Sequence, residues 1–159
     1  LTEALHFEFA IAGAPRTKKN HGRRKYSFRL KRTLNIPSEA YEDWASQALR
    51  SLPSIRRAAE FAGIVLPIEA DVNCAAIFHR QALAGDAVGY YQGVADWMEN
   101  VNILRNDVQI VSWDGSRLAK DATNPRIEVR LEFLPPQPKP ARAPRKKAPP
   151  TKLKGDRRG

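Results

Sequence analysis

The sequence predicts an α/β (α+β) fold, a small mixed sheet of about four strands with two main helices. Two stretches, residues 6–11 and 67–79, alternate apolar and polar side chains with a period of two. Two others, 38–52 and 86–98, repeat apolar positions every three to four residues. The two periods take turns along the chain, which is the pattern of helices packed on a sheet and not of two separate layers of one kind.

Phe7, Phe9 and Ile11 face one way and His6, Glu8 and Ala10 the other, so the first strand is half buried and ends at Gly13-Ala14-Pro15. Residues 16–32 (RTKKNHGRRKYSFRLKR) form a basic loop or hairpin with Tyr26 and Phe28 among its cations. Those aromatics either stack on bases or tuck into the core. Ser38 is a suitable N-cap, acids follow at Glu39, Glu42 and Asp43, and Tyr41, Trp44, Ala45, Ala48, Leu49 and Leu52 make an apolar stripe. Pro53 is expected to interrupt this helix, with Ser54 capping a second piece that runs to about Ala62 and ends at Gly63. From Pro67 to His79 the alternation is the longest in the chain, and Ile68, Ala70, Val72, Cys74, Ala76 and Phe78 share one face. Asp86 then stands at the N-cap of the second main helix, whose expected buried stripe is Val88, Tyr91, Val94, Ala95 and Met98. Val108–Val111 begins another strand, and Ile127, Val129, Leu131 and Phe133 define the last, with turn chemistry at Asp114-Gly115 and Asp121–Asn124 between them.

A length of 159 residues with 42% hydrophobic content suits one domain plus some extra chain. No run approaches the roughly 18 apolar residues of a membrane span, and the opening LTEALHFEFAIAGAPR has no cationic lead, so neither an anchor nor a signal peptide is expected. Cys74 is the only cysteine, which excludes an internal disulfide or a cysteine-rich zinc site and fits a reducing cytoplasm. The net charge of +10 is unevenly held: residues 16–32 carry nine Lys/Arg and no acid, and residues 135–159 carry nine and one acid, Asp156. The remainder is acidic. Basic segments on an acidic body suit a phosphate backbone, through release of its counterions; simple solubility is the other reading. Seven of the twelve prolines also lie in 135–159, so the expected division is a folded domain over 1–134 and a disordered Pro/Lys/Arg tail over 135–159.

Asp86 opens a helix and Asp107 precedes a strand, and the two are expected to meet if that helix packs antiparallel to the following strand. Magnesium needs only two or three such carboxylates, completed by water and phosphate oxygens. Taken separately, Asp86 is an N-cap and Asp107 a turn residue.

The basic PRTKKNHGRR segment, the helix from Pro37, Gly85-Asp86, Ala95-Asp96 and Asn106-Asp107-Val108-Gln109-Ile110 come in an order that resembles the RusA-type Holliday junction resolvases over about residues 5–134. The resemblance implies a RusA-like nuclease domain, a homodimer, and Mg²⁺-dependent (or Mn²⁺-dependent) cleavage of branched DNA in recombination and repair. It implies catalysis by Asp86 and Asp107, metal binding by these two with Asn106, and accessory roles for Asp96 and Gln92. Lys18, Lys19, Arg23, Arg24, Lys25 and Arg80 would contact DNA phosphates. A phage or prophage origin and the cytoplasm of a bacterial or phage-infected cell go with it. The chain departs from the family pattern at Val88 for a second Asp, Gly89 for Asn, Gln92 for Lys and Asn106 for Asp. Asp96, ten residues along the helix from Asp86, lies about 15 Å away and cannot share a metal with it. Two further readings follow from these departures and from the basic tail: a RusA-like DNA-binding protein without catalysis, and a basic RNA-associated protein.

Overall fold

In the computed structural model, which describes residues 5–17, 23–83 and 85–135, the chain runs β1 (His6–Ala12), β2 (Arg23–Ser27), β3 (Arg32–Ile36), α1 (Glu39–Ala48), a 3-10 turn (Leu49–Ser51), α2 (Leu52–Phe61), β4 (Val72–Arg80), α3 (Ala87–Asn100), a second 3-10 turn (Asp107–Gln109), β5 (Ile110–Ser112), β6 (Arg117–Lys120) and β7 (Arg126–Phe133). Lys18, Lys19 and the Pro/Lys/Arg tail beyond residue 135 lie outside the described residues.

The expected mixed α+β class is the observed one, with five strands in the main sheet. Its order is β1-β7-β4-β5, and β6 pairs with β4 as well. β7 is antiparallel to both β1 and β4, whereas β5 and β6 run parallel to β4 along its other edge. β5 takes the start of that edge, at Val72 and Asn73, and β6 its end, from Ile77 to Arg80. The gap between them is held by two side chains. Asn73 accepts from the Ser112 hydroxyl at 2.7 Å and from the Asp114 N–H at 2.9 Å, and the Ser116 hydroxyl donates to the Cys74 carbonyl while accepting from the Ala76 N–H. β6 had no alternation to announce it; the free edge of β4 recruits it after Ser116. β2 and β3 form a separate two-stranded antiparallel ribbon.

The core lies on one face of the sheet. Val72, Cys74, Ala76 and Phe78 of β4, with Phe7, Ile11, Ile127, Val129 and Leu131, are buried together with Trp44, Ile55, Val94, Trp97 and Met98 of the helices. Each fully buried large side chain of this set contributes about 1.5–3 kcal/mol. The opposite face carries charged pairs, such as Arg130–Glu8 across strands at 3.5 Å and Arg126–Glu128 along β7 at 2.7 Å. Among the described residues no helix is long and apolar enough to cross a membrane.

Three boundaries move. Pro53 lies in the first turn of α2, where a missing N–H costs nothing, and Ser54 donates to the Ser51 carbonyl at 2.8 Å without capping the helix. β4 starts at Val72, and Ile68 makes only an isolated bridge with Leu104. The buried stripe of α3 is Tyr90, Gly93, Val94, Ala95, Trp97 and Met98, while Val88 is 66% exposed. Tyr90 in the same first turn is buried, and Val88 falls on the opposite side of the helix, turned away from the packed stripe.

Candidate nucleic-acid interface

At the end of the sheet where β1 and β4 finish, a concavity of about 430 Å³ is lined by Arg16, Thr17, Arg23, Ser38, Glu39, Ala40, Arg80 and Tyr90. Sequence places these cations where strands run out. Arg16 follows Pro15 after β1, Arg23 opens β2, and Arg80 ends β4. Ser38 caps α1 there, with its Oγ accepting from the Tyr41 N–H at 3.2 Å. Three guanidiniums beside a helix start make this an electropositive recess, suited to an anion with several acceptor oxygens. Two of the three have visible internal duties. Arg23 pairs with Glu42 at 2.6 Å, an exposed contact worth at most about 1 kcal/mol, and Arg80 lies over the Tyr90 ring with 4.5 Å to its centroid. Arg24 and Lys25 are exposed on the ribbon, beyond the lining of the recess. Arg16 belongs to the basic segment but was not singled out by sequence, because nothing there distinguishes it from its eight neighbouring cations.

Asp86 stands beside this recess. Its Oδ1 accepts from the Val88 N–H at 3.1 Å, so the N-cap reading holds, and its side chain is exposed. Two glycines shape the approach. Gly85 has φ +110°, and a Cβ there would fall 2.7 Å from the Tyr90 hydroxyl. A Cβ on Gly89 would fall 3.0 Å from Thr17 Cγ2, so the missing side chain lets the β1–β2 connection settle against the first turn of α3. His79, the residue before Arg80, points to the opposite face of the sheet and lies 3.2 Å from Glu128.

Asp107 is elsewhere. α3 spans fourteen residues, about 21 Å, and Asp86 precedes it while Asp107 follows it. The Asp107 N–H donates to Glu99, at the far end of α3, at 3.3 Å. β5 begins beside Val72, at the start of β4, so the turn before it lies at the end of the sheet opposite the arginines. The expected meeting of Asp86 and Asp107 within one chain is therefore contradicted. The cause is topology: a strand, an antiparallel helix and a parallel strand put the helix start at one end of the sheet and the next strand's start at the other.

That second end is a joint. Asn106 Oδ1 accepts from the Val108 N–H at 3.0 Å, and its own N–H donates to Gln109 Oε1 at 2.8 Å, forming a capping box. The buried Gln109 donates from Nε2 to the carbonyls of Ile68 and Ala70, both at 3.0 Å. Asn106 thus spends its oxygen as a cap, not as a metal ligand. Asp96 lies half buried midway along α3 and acts electrostatically on Tyr41, whose hydroxyl donates to the Gly93 carbonyl at 3.0 Å and is pushed to a high pKa chiefly by burial. Gln92 is half buried one turn from Val88.

The donor set of one chain does not fit Mg²⁺. Asp86 caps α3, Asp107 is a helix-length away, and among the described residues no three His, Cys, Asp or Glu side chains converge. No family model matches the chain, and no curated protein matches it.

Proposed function

We propose that this chain binds the phosphate backbone of branched DNA and, as a two-fold homodimer, cuts it in a Mg²⁺-dependent manner, in line with its resemblance to RusA-type resolvases. The observation that carries the DNA reading is the recess formed by Arg16, Arg23 and Arg80 beside Asp86. Guanidiniums on separate elements, held at one end of the sheet, bind successive phosphates and fix their register.

The separation of the two aspartates changes the form of the nuclease reading. A single chain has no set of donors for the metal, and no hydrolytic step is assigned to it. Two chains paired with their α3 helices antiparallel bring Asp86 of each toward Asp107 of the other, giving two equal sites by symmetry. Val88 and Val108, 66% and 76% exposed, each lie next to one of these carboxylates and gain burial in such a pairing.

A mixing experiment tests this. Asp86→Asn and Asp107→Asn proteins are each assayed with Mg²⁺ on a fixed four-way junction, then unfolded together, refolded and assayed again. Both single variants are expected to be inactive. The mixture recovers nicking, because a mixed dimer keeps one intact site. Inactive variants that stay inactive when mixed, beside an active native protein, overturn the shared site. A native protein that binds the junction but never nicks it leaves the second reading, a DNA-binding protein without catalysis, which Val88 and Gln92 favour.

A further inference from the structure

The β2–β3 ribbon carries features that the recess does not use. β2 and β3 pair from Arg23↔Ile36 to Ser27↔Arg32 and are joined by the turn Phe28-Arg29-Leu30-Lys31. The turn is held in one shape. The Leu30 N–H donates to Ser27 Oγ at 3.2 Å, and Lys31 takes a positive φ of 48°. At its tip Phe28 is 87% exposed, flanked by Tyr26 at 50% and Leu30 at 53%. The Tyr26 and Phe28 rings meet edge to face with centroids 5.2 Å apart. Arg23, Arg24, Lys25, Arg29, Lys31 and Arg32 surround them, and residues 23–36 contain no acid.

Phe28, Tyr26 and Leu30 together make an exposed apolar tip among cations, a surface suited to a ligand that offers both an apolar face and negative charge. The charge decides which partner. A second ribbon is disfavoured by repulsion between two sets of cations, and an apolar protein groove does not call for cations on both strands. An unpaired nucleic-acid base does: it offers an aromatic face with phosphates a few ångströms to either side.

We propose that the ribbon is a wedge that seats Phe28 against unpaired bases where a nucleic acid opens, an inference that rests on the DNA-binding reading above. Arg24, Arg29, Lys31 and Arg32 hold the phosphates around the opening while the recess holds the adjoining duplex. The wedge then gives the protein its preference for branched over continuous DNA.

The test measures binding of native protein, Phe28→Ala and Phe28→Trp to a fixed four-way junction, to a continuous duplex of matching sequence and to a single strand. The junction carries 2-aminopurine at its branch. Phe28→Ala is expected to bind the junction about tenfold more weakly and the duplex within twofold of native. Phe28→Trp is expected to restore junction binding, and the branch fluorescence to respond to native protein but not to Phe28→Ala. If the single strand loses as much affinity as the junction, the wedge reads unpaired bases in general; if only the junction does, it reads the branch. Equal losses on junction and duplex, or none on either, overturn the wedge and leave DNA binding standing. So does a Phe28→Ala protein whose sedimentation changes while its DNA affinity does not, since the tip is then a protein contact. Native protein that binds none of the three DNAs at low salt overturns the parent reading and the wedge with it.

Discussion

At its N-terminal end α3 meets solvent through Asp86 and Val88 and borders a recess lined with arginines, whereas its C-terminal end runs into a turn stitched to β4 by Asn106 and Gln109. Both ends present an aspartate after a polar or small residue, and in sequence they look like two halves of one site. In space they lie at opposite ends of the sheet, the first bordering an open recess and the second on a hydrogen-bonded joint. Their surroundings tell them apart: the buried Gln109 makes three bonds to backbone, while Arg16 and Arg80 line an open concavity. A carboxylate's neighbours, and not its spacing from another carboxylate, decide what it can do.

Substitution at the joint has the largest expected effect. Gln109→Ala leaves two carbonyls and one N–H without their partners, and is expected to cost about 3 kcal/mol of stability, read from the urea midpoint, with junction affinity of the folded protein unchanged. A loss of DNA affinity at full stability would instead make Gln109 part of the binding surface and break the contrast.

Arg80→Ala addresses the other end. Affinity for a four-way junction should fall about tenfold and the slope of log K against log salt should become shallower by about one, with a small drop in the urea midpoint from the lost contact over Tyr90. An unchanged salt slope would remove Arg80 from the phosphate contacts.

The smallest effect concerns an acid at the recess end that is already committed. The Asp121 N–H donates to the Arg80 carbonyl, and the Asp121 carboxylate binds Arg126 at 2.7 Å. The Arg126 guanidinium, helped by the N–H groups of Asn124 and Thr123, holds the Asp121 pKa far below the usual carboxylate value of 3.8. A depressed carboxylate contributes stability that is full above its unfolded value and is lost as pH falls toward the folded one. The stability difference between native protein and Asp121→Asn should thus be constant above about pH 5 and shrink below about pH 4. A difference that persists to pH 2 would show that Asp121 acts through its turn geometry and not its charge.

Much of the fold was legible because burial leaves a period. Phe7 and Ile11, Val72 to Phe78, and Ile127 to Leu131 announce three strands, and Ser38 and Asp86 announce two helix starts that the structure keeps. β6 was not legible, because it borrows an edge instead of building a face. Tyr26 and Phe28 were left between core and surface by sequence, and the ribbon settles them outward. The site was legible only in part. Arg80 lines the recess and Asp86 opens α3 at the same end of the sheet, but Asp107 lies at the other, since sequence spacing across a helix carries no information on which end of the sheet the chain has reached.

The antiparallel pairing of β7 with β4 has a consequence for how the molecule meets a long ligand. Leu134 donates its N–H to the Asp71 carbonyl, so the chain quits the sheet at the start of β4, while residues 13–17 quit β1 at its end. The two basic segments are therefore tethered to opposite poles of the domain, separated by the nine residues of β4, about 30 Å at 3.3 Å per residue. Laid along a duplex of 3.4 Å rise, that is a footprint of about nine base pairs between the two points of attachment. On the proposed DNA-binding reading, that distance sets how far apart on one arm the two segments reach its phosphates.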